Sequence, residues 1–135
     1  MKKGNCIFCK IASKKISSMI IDENEGAIAF LDINPASDGH CVVIPKNHAI
    51  NFSSSNENDL ACVIKLMKRV TLLLKKKLSP KGFNYLSNEQ RIAGQVIEHT
   101  HFHVIPKYSE MDGLHLKKIR NYHGNVNSVY KKIVG

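Results

Sequence analysis

The sequence predicts an α+β domain built on a mainly antiparallel sheet. Short β-branched runs are separated by turn-rich segments, and one long amphipathic stripe lies between them. Neither βαβ alternation nor a glycine-rich dinucleotide fingerprint competes with that reading. The 135 residues suit one domain, long enough to remove roughly 65–70% of the unfolded surface from water.

The elements follow in order. Residues 1–15 are basic around Cys6-Ile7-Phe8-Cys9-Lys10-Ile11 and predict a short helical turn or knuckle. Residues 19–21 and 27–33 read as strands joined by a polar turn over 22–26. Turn residues crowd 34–39, and the apolar β-branched run 40–44 is a further strand that Pro45 ends. Ser54-x-x-Glu57 has capping-box spacing and announces a helix. Its expected buried stripe is Leu60, Val63, Ile64, Met67, Val70, Thr71, Leu74 and Leu78. Pro80 and Gly82 stop that helix. A strand over 83–86, a polar loop over 87–94 and a strand over 96–105 closed by Pro106 complete the expected core. The tail beyond 108 is polar and gives no clear element.

Composition narrows the function classes. Twenty Lys and Arg against 11 Asp and Glu give a net charge of +9, a field that attracts anions such as nucleotides. The basic residues are nevertheless spread over the long helix (Lys65, Lys68, Arg69, Lys75, Lys76, Lys77) and the tail (Lys117, Lys118, Arg120, Lys131, Lys132). That spread, with no base-stacking module and no Trp, reads as a solvated surface and makes nucleic acid an unlikely partner. The basic N-terminus has no apolar stretch behind it, so it is not a secretory signal, and no run approaches the length of a membrane span. A cytoplasmic protein is expected, with its four cysteines as thiols or metal ligands.

Histidines supply the strongest signal. His99-Thr100-His101-Phe102-His103 alternates with period two, so in a strand all three imidazoles share one face. Neighbours would stand about 6.6 Å apart and the outer pair about 13 Å apart. One zinc ion, with bonds of about 2.0–2.1 Å to nitrogen, can take two adjacent rings but hardly three. A row of imidazoles suits a linear substrate group better. A lone histidine is usually a satisfied surface or core residue; three in strict alternation among seven in the chain are hard to attribute to chance.

These residues, in their setting Gly94-Gln95-Val96-Ile97-Glu98-His99-Thr100-His101-Phe102-His103-Val104-Ile105-Pro106, resemble the His-x-His-x-His signature of the histidine-triad (HIT) family. Phe30-Leu31-Asp32-Ile33-Asn34-Pro35 resembles that family's nucleoside-binding strand and turn. Gly39-His40-Cys41-Val42-Val43-Ile44-Pro45-Lys46-Asn47-His48 resembles its second landmark, and Cys6-Ile7-Phe8-Cys9-Lys10-Ile11 the N-terminus of its nucleotide-binding branch. The likeness covers about residues 5–113, leaving 114–135 as a basic tail of a single HIT domain spanning 1–135.

The resemblance implies a HIT-like fold and a hydrolase or nucleotidyl transferase. It would cleave a phosphoramidate or phosphoanhydride bond of a purine nucleotide through a nucleotidyl-histidine intermediate. His101 would be the nucleophile, since neutral imidazole is available at cytosolic pH. Gln95, His103 and Asn88 would steady the phosphate, with His103 also placed to protonate the leaving group. Asp32 would accept from the ribose hydroxyls, Phe8, Phe30, Leu31 and Ile33 would wall the base, and Gly94 would let the backbone approach. Val96 stands where many relatives carry Ser or Thr, which puts the leaving-group preference in question. Cys6-x-x-Cys9 by itself fits buried thiols, a redox pair or a metal site, and a thioredoxin-like reading lacks its βαβ context. The family resemblance adds His48 and His99 to Cys6 and Cys9 as a structural zinc site. It leaves Cys41 and Cys62 as core thiols, and His40, His115 and His123 as solvated surface. A homodimer formed through the long helix and a sheet edge is implied as well. The competing class is a non-catalytic nucleotide-binding module that acts through a protein partner.

Overall fold

The computed structural model describes residues 3–117 and 121–135; Lys118 and Arg120 of the basic tail lie outside the described residues. Five strands form one antiparallel sheet in the order β1-β2-β3-β5-β4. They are β1 (Ile20–Glu23), β2 (Ala27–Leu31), β3 (Cys41–Pro45), β4 (Gly82–Leu86) and β5 (Phe102–Lys107). Helix α1 (Ile7–Ala12) precedes the sheet, α2 (Glu57–Leu78) joins β3 to β4, and α3 (Val126–Val134) lies in the tail.

Strand alternation divides the core in two. Ala27, Ala29, Cys41, Val43 and Val104 face α2 and pack on Val63, Leu66, Met67, Val70 and Leu74. The intervening residues Ile28, Phe30, Val42 and Ile44 point the other way, onto Ile11, Phe8 and Ala12. His103 pairs with Val42 across β3 and β5, so it belongs to the α1 side of the sheet.

Several boundaries differ from expectation for identifiable reasons. The α2 N-cap is Asn56, whose side chain accepts from the Asn58 N–H at 2.8 Å, whereas Ser54 bonds back to Asn51. The buried stripe of α2 includes Leu66 and leaves Ile64 and Leu78 exposed. At its C-terminus Ser79 turns left-handed at φ 52, just before Pro80. Strand β5 begins only at Phe102, so His99 and His101 precede it. Two contacts hold that stretch off the ladder: the Thr100 N–H donates to Ala49 O, and the Pro45 carbonyl is occupied by the His99 ring. The tail contains α3, capped by Asn125, with no residue buried. Among the described residues no helix is long and apolar enough to cross a membrane.

Candidate active site

His101 is 7% exposed, lying just before β5. Its Nδ1–H donates to the His99 carbonyl at 2.7 Å. A neutral imidazole carries one N–H, so Nε2 keeps a free lone pair. The edge-on ring of Phe8 lies 5.2 Å away between centroids. Burial is the largest influence on His101 and lowers its pKa, against the bond to His99 and the negative charge of Asp32. The ring is therefore neutral near pH 7, with Nε2 unprotonated.

His103 stands beside it, with ring centroids 5.3 Å apart. Its Nδ1 lies 2.9 Å from Nε2 of His40, a buried histidine that sequence reasoning had consigned to the surface. The Ala36 N–H donates to His40 Nδ1 at 3.0 Å, so that nitrogen must carry the lone pair and Nε2 the proton. His40 Nε2–H then donates to His103 Nδ1, which places the His103 proton on Nε2. The chain Ala36–His40–His103 thus gives His103 a hydrogen-bond donor at Nε2 and leaves its neighbour His101 with a free lone pair at Nε2. Burial, reinforced by His101 and His40, pushes His103 down to about 4. Burial likewise lowers His40, despite Asp32 Oδ2 lying 3.6 Å from its Nε2. Both rings are neutral. The signal for His40 was its period-two spacing with Val42 and Ile44, which shares their face and reaches His103 across the β3–β5 pair.

Gln95 departs from its expected orientation. It is buried, and both hydrogens of its amide are engaged, with Ile50 O at 2.6 Å and Ile97 O at 3.0 Å. Its Oε1 accepts from the Gln90 N–H at 2.9 Å. Gln95 in this state ties three loop segments together instead of offering a phosphate donor. Asn88 is half-buried and packs against Gly94. Gly94 has φ +100, a conformation that favours glycine, and a Cβ there would press on the Asn88 Nδ2 at 3.1 Å.

A cavity of about 540 Å³ opens beside the histidines, lined by Phe8, Phe30, Leu31, Ile33, Val42 and Asp32 among others. Phe8 and Phe30 meet edge to face at 5.6 Å. Ile33 is 82% exposed and forms the rim more than a wall. The Asp32 Oδ1 accepts from the Asn34 N–H.

The four expected metal-binding side chains converge on the other side of His101. Ligand atoms of Cys6, Cys9, His48 and His99 all lie within 4.8 Å of one another. The Nδ1 atoms of His48 and His99 are 3.2 Å apart, and sulfur–nitrogen separations run from 3.2 to 3.4 Å. Tetrahedral coordination with zinc-like bonds puts two nitrogens about 3.3 Å apart and a nitrogen and a sulfur about 3.5 Å apart. The set fits. His99 is fully buried and its Nε2–H donates to Pro45 O at 2.9 Å, which aims the Nδ1 lone pair at the other three groups. Burial, with His48 and His101 nearby, lowers His99 to about 4 and keeps it in the neutral, ligating form.

Asp32, His40 and His103 also bring three ligand atoms together. That trio does not fit a metal, because the Ala36 N–H obliges His40 to keep its proton on the Nε2 that faces the cluster. Cys41 is a core thiol, as expected, raised to about 12 by burial. Cys62 is half-buried, and His115 and His123 are exposed.

Comparison with known proteins agrees with this geometry. Residues 13–110 match the HIT domain. A stretch of 110 residues is 43% identical to adenosine 5'-monophosphoramidase from Schizosaccharomyces pombe, covering 82% of this chain and 80% of that one. The histidine triad nucleotide-binding protein from Candida albicans superposes with a TM-score of 0.86 at 33% identity, over 96% of this chain and 94% of the other. A zinc-bound histidine triad family protein from Mycobacterium smegmatis gives 0.74 at 30% identity, over 78% and 77%. The chain belongs to the HIT family.

Proposed function

We propose that this protein hydrolyses phosphoramidates of purine nucleosides in two steps through His101. One observation carries the reading: adjacent imidazoles are fixed in complementary tautomers, a lone pair on His101 Nε2 and a proton on His103 Nε2. In the first step His101 Nε2 bonds to the α-phosphorus as the P–N bond breaks. His103 Nε2–H donates a hydrogen bond to the departing nitrogen, and the amine leaves with a proton taken from solvent. In the second step water takes the place of the amine beside His103, attacks the phosphorus and gives its proton to solvent, and the nucleoside monophosphate leaves His101. Splitting one difficult displacement into two lowers each barrier.

Asp32 would accept from the ribose hydroxyls, and Phe8, Phe30, Leu31 and Ile33 would hold the base. Asn88 would donate to a phosphate oxygen across the open space left by Gly94. Gln95 would serve by positioning its loop. The Schizosaccharomyces relative, a monophosphoramidase, supports an amine as leaving group. A phosphoanhydride is the second leaving-group class this site can serve. Cys6, Cys9, His48 and His99 would hold a structural zinc that locks the N-terminal segment to the approach to β5. A homodimer is supported by the unpaired edge of β4 and the exposed apolar residues Phe52, Ile64 and Tyr85 near it.

The experiment is steady-state turnover of adenosine 5'-phosphoramidate beside a dinucleoside polyphosphate. Phosphoramidate is expected to be the faster substrate, with His101→Ala inactive while still binding AMP. Normal turnover by that variant would refute the reading.

A further inference from the structure

The cavity beside the histidines holds more polar chemistry than phosphate transfer needs. Its apolar walls would bind any flat base through buried area, and such walls discriminate weakly between rings that differ only at a polar edge. Three lining side chains carry hydrogen-bonding atoms: Asp32, Ser17 and Ser18. Asp32 sits at the histidine end, 3.6 Å from His40, where the sugar and phosphate would lie. Ser17 and Ser18 belong to a different segment, the link from α1 to β1.

That link is held in place by its backbone. Lys14 turns left-handed at φ 64, the Ile20 N–H donates to Ser18 O, and the Leu31 N–H donates to Met19 O, both at 3.0 Å. The Ser17 and Ser18 hydroxyls, by contrast, are engaged by no other described residue. Two serines on an anchored backbone, Ser17 exposed and Ser18 half-buried, therefore line a cavity whose other residues apart from Asp32 are apolar. A hydroxyl both donates and accepts, so the pair matches an edge presenting an amino group beside a ring nitrogen.

We propose that Ser17 and Ser18 read the 6-amino edge of an adenine base and set the preference of the site among purines. The inference rests on the nucleotide reading of the pocket. Binding tests it without requiring turnover. Calorimetry would compare AMP with purine riboside 5'-monophosphate, which lacks only the exocyclic amino group. The unmodified protein is expected to bind AMP about three- to tenfold more tightly, the worth of one ordinary hydrogen bond. In the double variant Ser17→Ala/Ser18→Ala the ratio should fall close to one through weaker AMP binding, and Ser17→Thr/Ser18→Thr should keep much of it. A ratio near one in the unmodified protein, or a ratio that survives the double alanine change, would overturn the proposal. If neither nucleotide binds at all, the nucleotide reading itself falls and takes this inference with it.

Discussion

Replacing His40 by alanine isolates the proton logic of the site, because His40 is expected to touch no part of the reacting group. The change removes the Nε2–H that reaches His103 Nδ1 at 2.9 Å and the acceptor that serves the Ala36 N–H at 3.0 Å. His103 Nδ1 left without its partner costs about 1–3 kcal/mol, whereas Ala36 is exposed and its N–H can turn to water, so a loss of roughly 1–3 kcal/mol in stability is expected. The catalytic effect is separate. With no donor at Nδ1, His103 is free to move its proton there and present a lone pair toward the leaving group. A fixed hydrogen-bond donor aimed at charge that develops in the transition state is worth about 10²–10³-fold in kcat. The structure therefore predicts a kcat loss near 10²-fold for an alkylamine leaving group, with KM nearly unchanged. Transfer from AMP p-nitrophenyl ester, whose leaving group departs without a proton, should fall less than tenfold. His40→Asn, which keeps an N–H donor, should restore part of the loss. Stopped-flow and steady-state assays on the two substrates supply the comparison. Equal losses on both would refute the tautomer argument, since a merely structural role would not distinguish leaving groups.

Three other expectations follow from single features. Removing metal by chelation, or making Cys9→Ser, should lower the melting temperature, expose residues 1–15 to protease and reduce activity less than loss of His101; elemental assay should find about one zinc per chain. Gln90 adopts φ 74 and ψ 153, a region used almost only by glycine, so Gln90→Gly should stabilise by about 1–2 kcal/mol and raise the melting temperature by roughly 4 °C, and a lower melting temperature would show that the conformation carries no strain. His40 and His103 are depressed in the folded state, the latter to about 4, so the unfolded chain binds more protons between about pH 6.5 and 4. Stability should accordingly be complete above pH 6.5 and decline as pH falls toward 4, as thermal melts across that range would register; a flat profile would mean that these rings are not held neutral.

Much of this site was legible because its signals are local. The period-two histidines, Cys6-x-x-Cys9 and the Asp32 turn can each be read in a few residues, and family resemblance joined them. Misreadings arose where a distant partner decides. His40 looked like a solvated histidine because its partner His103 lies 63 positions away. Strand β5 looked longer because the claim of His99 on the Pro45 carbonyl, across 54 positions, leaves no local trace. Helix α2 was recognised from its stripe, but Ile64, Leu72 and Leu73 are apolar and exposed, so the pattern alone did not fix which side faces the sheet. Gln95 matched a family donor, yet its amide hydrogens serve loop carbonyls that no spacing rule anticipates. Helix α3 escaped notice because nine residues with no buried contact carry little tertiary signal.

The central claim is that phosphorus becomes bonded to Nε2 of His101, and trapping tests it most directly. Adenosine 5'-phosphoramidate would be mixed with the protein for milliseconds, quenched in alkali to preserve a phosphorus–nitrogen bond, and digested for peptide mass spectrometry. The expected result is an adenylyl adduct on His101, absent in His101→Ala and longer-lived when the second step is slowed by replacing His103. An adduct on His99 or His103, or turnover with no adduct at any time point while product accumulates in a burst, would contradict the account.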